Sequence, residues 1–385
     1  MDLKDVLDTR RRGEPDLVLF VAIFTLAGIG LAMSYSASAV YAFRVFGDSF
    51  YFLKRQMIWA VLGLIALFIF QGIDYREYVK HTKIMLLVSI LLLIVVLIPG
   101  LGSSVKGSSR WISIGPANIQ PSEFVKLASV IYLVKVYSSE TKENHVIQLL
   151  VPMLVIAFIF ILVMLQPDFG SAMDLLVISV FVLFVSGFPL LYILSLFVLS
   201  IPMFYLLIYQ VSYRWDRVLA YIDPWHDRYG IGYHVIQSFT AFKKGGLLGV
   251  GLGFGTQKLA RLPEPHTDFI FAVIAEETGL IGTIFLALLF CFVFWRGTLI
   301  ALHAPDDFGR LLAVGLSLLI TVQAFINMGV VSGALPTTGI PLPFISYGGS
   351  SLLTNMIAAG ILLNISRYRE ASVREVKFEE VWSHE

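Results

Sequence analysis

Asp268 carries the strongest suggestion of chemistry in this chain. It ends the run Leu262-Pro263-Glu264-Pro265-His266-Thr267-Asp268, directly after a segment that holds Arg214, Arg217, Arg228, Lys243, Lys244, Lys258 and Arg261. A carboxylate beside many cations suits a particular division of labour. The cations hold an anionic leaving group such as a lipid diphosphate, and the carboxylate takes a proton from an attacking hydroxyl. General-base catalysis of this kind is worth about 10²–10⁴ in rate, or roughly 3–5 kcal/mol of barrier. The same residues allow plainer readings. Thr267 or Asp268 can cap the helix that follows, and the cations can form a solvated basic surface.

Three further sites invite the same question. Glu123 and Lys126 open an apolar stretch in Gln120-Pro121-Ser122-Glu123-Phe124-Val125-Lys126. Their i,i+3 spacing puts them on one helix face. They can form an intramembrane ion pair or touch substrate. Asp168, in Gln166-Pro167-Asp168-Phe169-Gly170, reads as a tight turn and an N-cap. Asp174 follows inside an apolar stretch with no partner visible in the sequence. Finally, the stretch from Leu335 to Ser351, with Pro336, Pro341, Pro343, Gly348 and Gly349, cannot form regular helix and permits close backbone approach. It reads either as a structural turn or as a rigid lining of the site around Asp268.

The elements that must position these residues follow from composition. Of 385 residues, 57% are hydrophobic and only 14% charged, against about 25% charged in soluble domains. Such a chain needs a bilayer as solvent, and long unbroken apolar runs select helices over barrel strands. Windows of about 20 apolar residues fall at 17–39, 55–71, 84–100, 121–138, 146–165, 171–187, 190–209, 269–296, 309–331 and 346–365. The expected fold is an all-α polytopic membrane protein of about ten spans. Residues 1–16 form an N-terminal segment, 17–366 one membrane domain and 367–385 a tail, with no internal repeat. Arg10, Arg11 and Arg12 before an apolar run, with Ala37-Ser38-Ala39 after it, imitate a cleavable signal. The run is long for that and is read as an uncleaved first span. The single cysteine, Cys291, lies in an apolar helix and is expected to be a packing residue. A formal net charge of +1 gives no reason to expect nucleic acid.

Lys and Arg at the span ends set the orientation. Lys4, Arg10 to Arg12, Arg76, Lys80, Lys83, Lys142, Arg296, Arg310, Arg367, Arg369, Arg374 and Lys377 share one side if there are ten spans. Both termini are then cytoplasmic, and the loop 210–268 between spans seven and eight is extracytoplasmic. Within it, Ile231 to Gly255 mixes large apolar residues with seven glycines and reads as a re-entrant or interfacial piece. Lys106 and Arg110 add charge on the same outer side.

Four blocks, in order, carry a family resemblance. They are Lys106-Gly107-Ser108-Ser109-Arg110-Trp111-Ile112 with Gln120–Lys126; Gln166–Gly170; Gly232-Tyr233 and Gln237-Ser238 leading to Leu262–Glu277; and Leu335–Ser351. Through them the chain resembles the shape, elongation, division and sporulation family, the peptidoglycan polymerases FtsW and RodA. The resemblance covers nearly all the membrane region. It implies ten spans in the bacterial inner membrane. It also implies β-1,4 joining of lipid II units at the outer face, with inversion at the anomeric carbon and release of undecaprenyl diphosphate. The family's aspartate in a His-Thr-Asp-Phe motif falls on Asp268, the implied base. Lys106, Arg110, Arg214, Arg217 and Lys258 become candidate diphosphate partners. Glu123, Lys126, His266, Thr267, Ser346, Tyr347 and Ser350 become candidate substrate contacts. The implied partners are the growing lipid-linked glycan, a class B penicillin-binding protein that cross-links the new strand, and other membrane proteins of the division machinery. No metal-ligand spacing is visible, and a divalent cation could share the diphosphate charge.

The branch is read from details. Asp223-Pro224-Trp225, Gln257-Lys258-Leu259 and Ser350-Ser351-Leu352-Leu353 lean towards the division branch, whereas Gly339-Ile340-Pro341-Leu342-Pro343 leans towards elongation. Two other classes stay open at this point. A lipid II flippase would distribute ionisable residues through the membrane depth, whereas here they gather at the outer end. A noncatalytic scaffold would explain partners but not Asp268 beside its basic loop.

Overall fold

The computed structural model describes residues 13–100, 102–105, 108–115, 117–139, 145–209, 211–259, 262–263 and 265–368. Each of the ten apolar windows contains a helix. These are α1 (Leu17–Phe46), α2 (Tyr51–Gly72), α3 (Glu77–Leu97), α4 (Pro121–Tyr137), α5 (His145–Leu165), α6 (Phe169–Val185), α7 (Leu190–Tyr209), α10 (Ile270–Leu302), α11 (Asp307–Val331) and α12 (Gly349–Ile365). Two more, α8 (Ser212–Ile222) and α9 (Tyr233–Gly245), lie within the long loop. By length and composition α1, α2, α3, α10 and α11 are each able to cross a membrane, and stretches of α5, α6, α7 and α12 are shorter apolar helices.

The bundle is apolar outside and partly polar within, as a bilayer requires. Helices α2, α3 and α7 turn large side chains outward, among them Ile58, Phe68, Leu87, Leu191 and Leu199. Helices α4, α11 and α12 are buried along most of their length and enclose Ser129, Gln323, Asn327, Asn355 and Asn364. Pro121 at the first turn of α4 and Glu123 behind it suit a helix start, since the missing N–H is unneeded there and the acid complements the dipole.

Helices α1 and α10 are tied at two levels. Asp16 caps α1 through the Leu19 amide (2.8 Å) and pairs with Arg296 of α10. Ser36 donates to Glu277 Oε1 at 2.7 Å. Twenty residues of α1 and nineteen of α10 separate these ties, which is about 30 Å of helix. That equals the thickness of a bilayer's hydrocarbon core, about 30 Å.

The structure departs from the sequence reading in three places. The connection between α3 and α4, read as a loop, folds into an antiparallel sheet of β1 (Gly102–Val105), β2 (Ser108–Ile114) and β3 (Ala117–Ile119). Ser103 faces Trp111 and Ile112 faces Ile119 across it. The piece from Ile231 to Gly255 is not uniformly interfacial. Helix α9 buries Val235, Ile236 and Ala241 and packs on α10, and the large exposed apolar side chains lie in the loop beyond it. Cys291, expected as a packing residue, faces outward from α10.

Candidate functional site

The site is assembled from three irregular segments at one end of the bundle. The first is the run before α10. Asn327 of α11 donates from Nδ2 to the Asp268 carbonyl at 2.9 Å and to the Ile340 carbonyl at 2.7 Å. One amide thus clamps the Asp268 backbone to the second segment, residues 335–351. That segment is pinned further by Ser346 Oγ donating to the Thr267 carbonyl (2.7 Å) and the Tyr347 amide donating to the His266 carbonyl (2.8 Å). Gln56 of α2 donates to the Ser346 carbonyl at 3.2 Å. Gly339 adopts φ 80 and sits against the aspartate, where an added Cβ would lie 3.3 Å from Asp268 Oδ2. Phe344 is held with φ 63, a left-handed backbone that costs a bulky residue on the order of 1–3 kcal/mol.

The third segment is the turn into α6. Asp168 caps α6 through the Ser171 amide (3.3 Å), as the sequence suggested, and accepts from Gln120 Nε2 at 3.1 Å. Arg110 at the end of the sheet donates to the Gln166 and Pro167 carbonyls and lies 3.6 Å from Asp168 Oδ1. Gly170 packs against the Thr338 carbonyl and Ile340, so this turn abuts the segment that touches Asp268. Arg217 of α8 donates to the Thr337 and Thr338 carbonyls at 3.1 and 3.3 Å. Arg217, Asp268 and the Asp168 turn, through Gly170, therefore meet at one stretch of backbone, Thr337–Ile340, and Arg110 is bonded to that turn.

Asp268, Thr267, Arg110 and Arg217 keep part of their surface open. Arg214 is buried, 5.7 Å from the Phe169 ring. His266 is buried among aromatic rings, 4.5 Å from Phe52, 5.9 Å from Tyr41 and 5.8 Å from Tyr347. Burial pushes the Tyr347 phenol up, opposed by the Arg55 guanidinium. Ser350 accepts from the Gln120 amide at 2.9 Å and so joins the Asp168 side of the site.

Three sequence candidates stand elsewhere. Glu123 and Lys126 are sealed in the bundle, 1% and 2% exposed. Lys126 Nζ lies 3.1 Å from Glu123 Oε1, 2.9 Å from Asp174 Oδ2 and 3.0 Å from Gln323 Oε1. The ion-pair reading fits this geometry and substrate contact does not. Asp174, unaccounted for in the sequence, is the second carboxylate of the cluster. Lys258 is also buried, 2.5 Å from Glu277 Oε1 and 2.8 Å from Ser36 Oγ, so its charge is engaged beside α1. Lys106 lies outside the described residues.

Asn327 and Gln323 were missed. They stand i,i+4 in an apolar helix, one helix face by spacing, and Gln323 donates to the Pro341 carbonyl at 3.0 Å. Polar amides recurring at that spacing inside a span were the signal available. Gln56, at the start of α2, gave a weaker one.

The chain matches the FtsW, RodA and SpoVE family, described as cell cycle proteins, over residues 17–371. It is 45% identical to a protein of Geobacter metallireducens named probable peptidoglycan glycosyltransferase FtsW, over 95% of this chain and 98% of that one. It is 44% identical to stage V sporulation protein E of Bacillus subtilis, over 94% and 99%. Among solved structures it is similar to a chain from work on polymerization and crosslinking by a peptidoglycan synthase complex. That match has a TM-score of 0.76 at 28% identity, over 92% of this chain and 99% of that one. It is also similar to the rod shape determining protein RodA of Thermus thermophilus, with a TM-score of 0.69 at 28% identity, over 93% and 98%. The chain belongs to the FtsW, RodA and SpoVE family of polytopic membrane proteins.

Proposed function

We propose that this chain polymerises lipid II into β-1,4 glycan at the outer face of the inner membrane, in septal wall synthesis, with Asp268 as the base. Family membership and the names of its relatives make it a peptidoglycan glycosyltransferase. The observation that carries the finer reading is the clamp on Asp268. Its backbone is fixed by Asn327, its carboxylate lies against Gly339, and the residue is only partly buried.

Two lipid diphosphates lie side by side. The growing chain is the donor, activated at its anomeric carbon by the diphosphate. The acceptor hydroxyl loses its proton to an Asp268 carboxylate oxygen as its own oxygen attacks the opposite face. The C–O bond to the diphosphate breaks, and the diphosphate leaves with the electron pair. Arg110 and Arg217 present guanidinium groups suited to bidentate contact with phosphate oxygens. Both already spend some donors on backbone carbonyls, which fixes their orientation. Among the described residues Asn327 Oδ1 and Thr338 Oγ1, near Asp268, are buried without a hydrogen-bond partner, and substrate hydroxyls or water would satisfy them. Among the described residues no group of three His, Cys, Asp or Glu side chains could hold a metal. A divalent cation could share the charge of the substrate diphosphate.

The ten-span topology, with both termini cytoplasmic and Asp268 outside, belongs to this reading. So do the bounds of the membrane domain, residues 17–366, and a class B penicillin-binding protein as partner. The test is polymerisation of labelled lipid II by the purified chain with its cognate transpeptidase, whose active serine is blocked. A glycan ladder establishes the reaction. No ladder, with lipid II scrambling in vesicles, would replace it with the flippase reading. Filamentation on depletion supports the septal role, and rounding would assign the chain to elongation instead.

A further inference from the structure

Between α9 and residue 259 runs a loop whose apolar side chains are turned outward. Leu248 is 78% and Phe254 76% exposed, and Leu247 and Leu252 are each 68% exposed. These values fall in the range of the outward side chains in the bundle's lipid-facing helices, such as Leu191 at 75% and Phe197 at 66%. A floppy loop could fold such residues away, but this one is held open by its backbone. The amides of Val250 and Gly251 donate to the carbonyls of Glu276 and Glu277, both at 3.0 Å. The carboxylate of Glu277 accepts from the Gly253 amide at 3.0 Å, and that of Glu276 accepts from Thr256 (2.9 Å) and Gln257 (3.0 Å). Two buried glutamates that the reaction does not use thus serve as a fixed seat for the loop.

The helix opens to admit it. Gly279 interrupts α10 with φ 67, and an added Cβ there would meet the Gly249 amide nitrogen at 2.4 Å. Freed amides of α10 donate to the loop, Leu280 to the Gly246 carbonyl (2.9 Å) and Ile281 to the Leu247 carbonyl (3.3 Å). Leu280 and Ile281 begin the outward apolar stripe of α10, which continues through Ile284, Phe285 and Leu288. The loop therefore extends the lipid-facing surface sideways rather than standing above it.

Its depth follows from the two ties between α1 and α10. With the Asp16–Arg296 tie taken as one edge of a hydrocarbon layer about 30 Å thick, the Ser36–Glu277 tie falls near the other, and the loop is bonded to Glu276 and Glu277 at that level. Lys243 and Lys244, both exposed in the last turn of α9, precede the apolar tip. Cations at the phosphate level with large apolar groups just beyond are the signature of an interfacial anchor.

We infer that residues 247–254 form a preset wedge inserted into the lipid leaflet on the Asp268 side, with Lys243 and Lys244 on the lipid phosphates. The wedge rests on the membrane placement of the chain and not on the proposed reaction. Its test needs no turnover, so its failure and the failure of the polymerase reading are separable.

The test places a spin label on the full chain in a Cys291→Ala background, reconstituted in phosphatidylethanolamine–phosphatidylglycerol vesicles. Leu248→Cys is compared with Ile284→Cys, on the lipid-facing stripe, and Tyr229→Cys, 94% exposed in the long loop. Collision with oxygen and with a water-soluble nickel chelate is read at each. The label at 248 should resemble 284, open to oxygen and several-fold shielded from nickel, in the protein alone. A label at 248 as open to nickel as 229 would overturn the wedge. Shielding that arises only when the transpeptidase is added would overturn it too, by making the loop a protein contact. Because 248 points outward, the label does not test folding, and recovery of the α10 reference value at 284 reports that the bundle is intact.

Discussion

Two carboxylate sites in this molecule, both flanked by cations, end up in opposite circumstances. In the Glu123–Lys126–Asp174 cluster every charged group is at most 2% exposed, and Lys126 lies within 3.1 Å of both carboxylates. Asp268 lies on irregular backbone and is only partly buried as a residue, with its main chain held by Asn327. A sealed cluster can neither receive a substrate nor exchange a proton quickly with water. Its contribution is to fix α4, α6 and α11 against one another, since Lys126 on α4 reaches Asp174 on α6 and Gln323 on α11. An open carboxylate on a fixed backbone is what a general base requires. The residue types are alike, and their burial differs.

The two sites are also mechanically linked. Gln323 takes one bond from Lys126 and gives another to Pro341, while Asn327, one turn on, holds Ile340 and Asp268. Helix α11 is a strut between them.

The largest effect should come from Asp268→Asn. Turnover of lipid II should fall by at least about 10²–10⁴-fold, while lipid II binding, read by retention of labelled substrate, stays near wild type. Next is Lys126→Met. It leaves two buried carboxylates without their cation and should destabilise the fold by about 3–5 kcal/mol, read as a lower melting temperature in detergent. Neutralising the whole cluster with Glu123→Gln, Lys126→Met and Asp174→Asn should recover much of that loss. A triple variant as unstable as the single one would mean that the cluster's role is not electrostatic. Asn327→Leu removes the clamp and leaves two carbonyls short of a donor, a change of about 1–3 kcal/mol for unmet buried groups. Turnover should drop on the order of tenfold, with a smaller change in melting temperature. Arg217→Ala should have the smallest effect, a several-fold rise in KM with kcat less affected. A fall confined to kcat would place Arg217 on the transition state instead.

Much of the scaffold was legible because a bilayer imposes a simple rule. Long apolar runs must be helices, and all ten windows hold one. Boundaries moved where polar residues face inward. Helix α1 runs on to Phe46 because Ser34 and Ser38 are buried against the bundle rather than exposed at a membrane surface. Helix α3 starts at Glu77, before the apolar run, since Lys80 and Glu77 can pair in solvent at 2.6 Å. The sheet of residues 102–119 was missed, although Trp111-Ile112-Ser113-Ile114 has strand-forming composition. Its pairing depends on turns whose geometry short polar sequence does not fix. Near Asp268, the irregular course of residues 335–351 was readable from prolines that forbid helix. The partner of Asp174 was not, because it lies 48 residues away on another helix, and no local period encodes that meeting. Lys258 looked like a phosphate ligand by sequence position, yet Glu277, buried two turns into α10, claims it.

The central claim, that the open aspartate does chemistry and the sealed cluster does not, is tested most directly by one paired measurement. Lipid II turnover per folded molecule is recorded for Asp268→Asn and for Lys126→Met beside wild type, each with the blocked transpeptidase and each with its melting temperature. Asp268→Asn should melt like wild type and make no glycan ladder, while Lys126→Met should melt earlier but still polymerise per molecule that remains folded. A normal ladder from Asp268→Asn, or a dead Lys126→Met with wild-type stability, would contradict it.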